Sequence, residues 1–145
     1  ILDGLVGSEM CIRDRVFTTG MCGYQESLTD PSFAGQVLTF TYPLLGNYGV
    51  HPGVSESSSV HPRGVVCKQH MAFPDHRNSV GSVHDLLVAN NIPGIEGIDT
   101  RALTRRVREH GTLLCVFSAQ PKESMKWRPF SERWPLQMQM IWSPR

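Results

Sequence analysis

Hydrophobic and polar positions alternate most clearly over residues 36–42. There Val37, Thr39 and Thr41 fall on one side of an extended chain, and Leu38, Phe40 and Tyr42 on the other. Pro43 cannot donate to a ladder and ends the run. Residues 16–19 make a shorter β-branched and aromatic run closed by Gly20, and residues 64–68 are a further candidate strand. Residues 113–118 are apolar enough to be a strand buried on both faces. Two stretches switch to helical signals. The first runs from Val83 to about Asn90, with Ser82 as N-cap and Asp85 three residues on, an arrangement like a capping box. Asn90, Asn91 and Pro93 stop it. The second starts after Asp99 and Thr100 and reaches about His110, where Gly111 supplies a left-handed end. Leu103 and Val107 mark its buried stripe, and Arg101, Arg105 and Arg108 form a separate basic face.

Composition narrows the classes. The 145 residues suffice for one ordinary domain with a core, and 40% hydrophobic with 19% charged residues fits a globular chain. A net charge of +1 gives no overall field to recruit nucleic acid or an anionic membrane. No apolar run approaches the roughly 20 residues that span a bilayer, and residues 1–7 lack the basic leader of a secretory signal. Cys11, Cys22, Cys67 and Cys115 are irregularly spaced, with no C-x-x-C pair, so reduced cytoplasmic thiols are expected rather than a disulfide scaffold or zinc ribbon. The six histidines never adopt a metal-ligand spacing, and no metal site is expected from them.

Several segments together carry a resemblance. Val16-Phe17-Thr18-Thr19-Gly20-Met21-Cys22-Gly23-Tyr24-Gln25-Glu26 continues through Leu28-Thr29-Asp30-Pro31-Ser32-Phe33 to Gln36. Thr39-Phe40-Thr41-Tyr42-Pro43-Leu44-Leu45-Gly46-Asn47-Tyr48-Gly49 follows. Asn90-Asn91-Ile92-Pro93-Gly94-Ile95 then leads into Gly97-Ile98-Asp99-Thr100-Arg101-Ala102-Leu103-Thr104-Arg105. In collinear order over residues 16–119 these segments resemble the N-terminal domain of the small, glutamine-handling subunit of carbamoyl-phosphate synthetase.

The resemblance implies an α+β fold: a mixed β-sheet with short helices, of the swivelling β/β/α type, incomplete at its N-terminal edge. It implies a parent whose second domain is a glutamine amidotransferase with a cysteine nucleophile, outside these 145 residues. Ammonia made there would pass to a large subunit, the expected partner, which joins it to bicarbonate using ATP for arginine and pyrimidine synthesis. No catalytic residue, cofactor-binding residue or metal ligand is assigned in this chain. Ser32 alone is assigned, as the serine the family's N-terminal domain extends to glutamine. Locally two roles stay open for it. Asp30 can cap a turn with Pro31 in its first position, so Ser32 either completes the cap or meets a polar ligand. The arginine face likewise reads as a solvated surface or as an interface toward the large subunit.

Cys22 is rejected as a nucleophile. Gly20-Met21-Cys22-Gly23-Tyr24 puts tyrosine where a nucleophile elbow needs a small residue. Cys67 and Cys115 read as core thiols. Residues 1–15 match nothing expected of the family and look like translated adapter sequence. Residues 120–145, with Trp127, Trp134 and Trp142, depart from it too, and a shifted reading frame is one source of such a tail. The alternative to an enzyme subunit is a non-catalytic interaction module, or truncated product, that docks on the large subunit. A cysteine or histidine hydrolase ranks well below both.

Overall fold

A computed structural model describes the backbone of residues 11–12, 15–110, 115–116 and 139–140, and the side chains of residues 16–109. In chain order the elements are β1 (Cys11–Ile12), β2 (Arg15–Thr18), α1 (Tyr24–Thr29), a 3-10 turn (Pro31–Phe33), β3 (Val37–Phe40) and β4 (Leu44–Leu45). They continue with β5 (Gly64–Val66), β6 (Gln69–His70), α2 (Val83–Ala89), β7 (Gly94–Glu96), α3 (Thr100–His110), β8 (Cys115–Val116) and β9 (Gln139–Met140).

The main sheet has the order β2-β3-β5-β7-β9. Its first four strands are parallel and β9 runs antiparallel against β7, which makes the sheet mixed. Parallel neighbours need crossovers, and α1 and α2 lie in two of them, between β2 and β3 and between β5 and β7. Two further pairs stand apart, β4 with β6 in parallel and β1 with β8 antiparallel. The class is α+β with short helices, as expected.

The pattern over residues 36–42 translates directly into layers. All four residues of β3 are buried, with Val37 in one hydrophobic cluster and Leu38 and Phe40 in another. Leu38 and Phe40 join Tyr24 and Leu28 of α1, Val83 and Leu87 of α2, and Val65 and Cys67. Val37 joins Val66, Ile95, Ile98 and Leu103 of α3. The alternation at Val65 and Val66 is the same, so the sheet carries α1 and α2 on one face and α3 on the other. A parallel sheet covered on both faces needs this apolar continuity in its strands.

Local signals explain the helix ends. Ser82 and Asp85 form a reciprocal capping box: Ser82 Oγ accepts from the Asp85 N–H at 3.1 Å, and Asp85 Oδ2 accepts from the Ser82 N–H at 3.1 Å. Asp99 caps α3 by accepting from the Ala102 N–H at 3.0 Å. Gly111, the expected end of α3, lies outside the described residues. The leading stretch contributes Cys11, Ile12 and Arg15 to strands, and the tail contributes Gln139 and Met140. The tail showed no strand period in the sequence, and two residues are too few to display one.

Candidate functional site

The motif residues of the first matching segment are engaged mainly in holding loops. α1 has no side-chain cap, and its N-cap Gly23 is left-handed with φ 78°. The Tyr48 hydroxyl accepts instead from the Gly23 N–H at 2.7 Å and the Tyr24 N–H at 3.4 Å, answering amides that a helix start leaves unpaired. The Tyr24 ring stacks on Tyr48 at 4.2 Å between centroids, and its hydroxyl donates to the Gly49 carbonyl at 2.7 Å. Burial, and then the neighbouring Tyr48, raise the Tyr24 pKa, so this phenol stays a donor. Gln25 pairs twice with the backbone of His51, donating at 2.8 Å and accepting at 2.8 Å, and donates also to Ser55 Oγ.

α1 ends at Thr29, and the chain turns through Asp30 into the 3-10 turn, with Pro31 in its first position. The Asp30 carboxylate accepts the Ser32 N–H at 2.8 Å. Hydrogen bonds from the Ser32 backbone and hydroxyl hold its carboxyl below the usual carboxylate value. The turn closes with the Phe33 N–H on the Asp30 carbonyl at 3.2 Å and the Ala34 N–H on the Pro31 carbonyl at 3.0 Å. Ser32 itself is exposed. The structure therefore shows the cap that the sequence predicted and leaves Ser32 accessible on a stiff turn. Behind it lie Ser57 and His61, which sequence reasoning did not single out. Both sit in a loop 25 or more residues away, and no local spacing signals them.

The other candidates fall elsewhere. Cys22 is exposed in the turn between β2 and α1. Cys67 is fully buried at the end of β5, and burial pushes its thiol up to about 12. A thiol so placed is neutral at pH 7 and sheltered from substrate. Arg101, Arg105 and Arg108 are exposed on α3, Leu103 is buried and Val107 is half-buried. Among the described residues no group of three or more His, Cys, Asp or Glu is placed to hold a metal ion, and no helix is long and apolar enough to cross a membrane.

A groove of about 730 Å³ opens beside α2, lined by His70, Phe73, His84, Asp85 and Glu96 among others. Glu96 accepts from the His70 N–H at 3.1 Å, while His70 Nε2 is buried without a protein partner. Burial lowers the His70 pKa; Glu96 and Asp85 oppose the shift and His84 adds to it. The exposed Phe73 also lines the groove.

These features define a small α+β domain whose polar residues chiefly fix loops and turns, with Ser32 displayed at one of them. Comparison with known proteins gives the family. Residues 4–117 match the model for the carbamoyl-phosphate synthase small chain, CPSase domain, and the chain belongs to that family. The match begins within the leading stretch. It is 50% identical over 109 residues to the carbamoyl phosphate synthase small chain of Bacillus cereus, covering 72% of this chain and 29% of that protein. The same protein of Symbiobacterium thermophilum is 49% identical over 107 residues, 74% of this chain and 30% of the relative. That of Staphylococcus haemolyticus is 43% identical over 114 residues, 79% and 31%. The chain thus spans about a third of the length of the curated relatives it matches.

Proposed function

We propose that these residues form the N-terminal domain of a glutamine-hydrolysing carbamoyl-phosphate synthase small chain, and that they display Ser32 to glutamine bound on the neighbouring amidotransferase domain of the parent. The observation that carries the reading is the exposed Ser32 on a turn fixed by Asp30 and Pro31. A hydroxyl is both donor and acceptor, which suits the polar groups of a neutral amino acid bearing a side-chain amide. The parent hydrolyses glutamine to glutamate and ammonia, and the large subunit combines the ammonia with bicarbonate at the expense of ATP. ATP is thus bound by the partner, and no cofactor is held by these residues.

Docking on the large subunit is the second task. The exposed Arg101, Arg105 and Arg108 on one face of α3 support it, since guanidinium groups pair with carboxylates in a fixed geometry. Cytoplasmic residence belongs to the same reading, supported by Cys22 and Cys67 as free thiols. The 145 residues alone hydrolyse no glutamine on this reading, because Cys67 is buried and neutral and Cys22 lacks an elbow.

The test uses the full-length small chain assembled with its large subunit. Ser32→Ala raises the KM for glutamine about tenfold and leaves ammonia-dependent synthesis unchanged, since ammonia bypasses the site. An unaltered KM refutes the role of Ser32. Glutamine hydrolysis by the isolated 145 residues, abolished by Cys22→Ser, would refute the division of labour.

A further inference from the structure

The loop that follows β4 grips the Ser32 turn from behind at both ends. At the entry, the His61 N–H donates to the Leu28 carbonyl in the last turn of α1 at 3.1 Å. At the exit, the Gly35 N–H donates to the His61 carbonyl at 3.4 Å. Between them, Ser57 Oγ lies 2.6 Å from the Thr29 carbonyl, 3.2 Å from the Ser59 carbonyl and 2.8 Å from His61 Nε2. The Glu56 N–H adds a bond to Thr29 Oγ1 at 2.9 Å.

The proton inventory fixes the imidazole. A hydroxyl has one proton, and both carbonyls facing Ser57 only accept. Its proton therefore goes to a carbonyl, the closest being that of Thr29, and its oxygen accepts from His61 Nε2–H. The ring must carry hydrogen on Nε2, in a neutral or a charged imidazole alike. His61 also lies close enough to Asp30 to help hold the capping carboxyl low, after the larger effect of Ser32. One histidine thus ties both flanks of the turn with its main chain. Through Ser57 its ring holds the carbonyl immediately before Asp30.

A three-residue turn has few bonds of its own, and the Ser32 hydroxyl is useful only if its direction is set. We propose that His61, acting through Ser57, is a positioning residue that aims Ser32 at its amide-bearing ligand. This role rests on the proposed contact between Ser32 and glutamine. Displacements of about an ångström behind a contact residue are enough to weaken the contact.

The experiment again uses the full-length small chain with its large subunit. His61→Ala raises the KM for glutamine about tenfold, with kcat within about twofold of the parent. His61→Gln, whose amide N–H can replace Nε2–H, restores KM to within about twofold. Ser32→Ala combined with His61→Ala is no worse than Ser32→Ala alone, because both remove one contact. Independent, multiplying effects in the double variant overturn the proposal and leave the role of Ser32 intact. So does a His61→Ala protein with unchanged KM where Ser32→Ala raises it. An unchanged KM in Ser32→Ala overturns the underlying reading itself. If His61→Ala does not fold, Ser57→Ala takes its place in the same cycle: a raised KM, non-additive with Ser32→Ala, supports the clamp, and an unchanged or additive one refutes it.

Discussion

Gly49 closes the second matching segment, in the loop after β4. Its φ is 72°, a region that residues with a Cβ avoid, and its carbonyl accepts the Tyr24 hydroxyl. A Cβ there would overlap Ser79 Oγ and come 2.8 Å from the Gly81 carbonyl. The Ser79 hydroxyl can rotate away, but Ser79 Cβ, also 2.8 Å off, cannot, and the Gly81 carbonyl is main chain and accepts the Val50 N–H at 2.9 Å. Left-handed strain and overlap act together, so Gly49→Ala should destabilise the fold by about 2–3 kcal/mol. Urea unfolding of the two proteins measures it, and a loss under about 0.5 kcal/mol would show the loop yielding freely. The sequence marks Gly49 only as part of a turn-rich run. The reason for glycine lies in Ser79 and Gly81, about thirty residues on, where no local pattern points.

Among the elements, α2 is the most legible in the sequence, because its start is written in side chains: Ser82 caps, Asp85 caps back, and both bonds exist. Removing the hydroxyl leaves the Asp85 N–H without its acceptor, so Ser82→Ala should cost about 1 kcal/mol. Differential scanning calorimetry reads it as a lower Tm, and an unchanged Tm would mean that water caps the helix equally well. β3 and α3 are legible for related reasons, one from alternation and the other from its Asp99 start and its Leu103 stripe. α1 is not legible as a helix. It has six residues, no side-chain cap, and a left-handed glycine at its start, and its cap is the hydroxyl of Tyr48 from another loop. β7 hides in the same way. Its three residues follow Pro93 and carry no period, and pairing with β5 and β9 makes them a strand. Of the site, the Asp30, Pro31 and Ser32 turn is legible because its capping is local. The Ser57 and His61 support is not, because it is assembled across the fold.

At the scale of the whole molecule, stability depends also on half-buried charge, and His70 lies half-buried in the groove beside α2. Burial first, with His84, holds its pKa below the ordinary 6.5, while Glu96 and Asp85 pull the other way. The sign follows from proton uptake. As pH falls through about 6.5 the unfolded chain binds a proton at this residue before the folded one does, so unfolding becomes easier. The contribution is fully present above that pH and is lost below it. Urea midpoints at about pH 7.5 and about pH 5.5 should fall less for His70→Gln than for the parent protein. Equal falls would assign the acid sensitivity to other groups.

The order of the main sheet has a consequence for how the chain is made. From β2 to β9 its strands lie side by side in the order in which they are translated. After β2, every strand of that sheet leaves the ribosome to find its neighbour already synthesised, and none must wait for a later segment to be inserted between itself and its partner. The growing sheet extends at one edge only, so assembly can keep pace with synthesis.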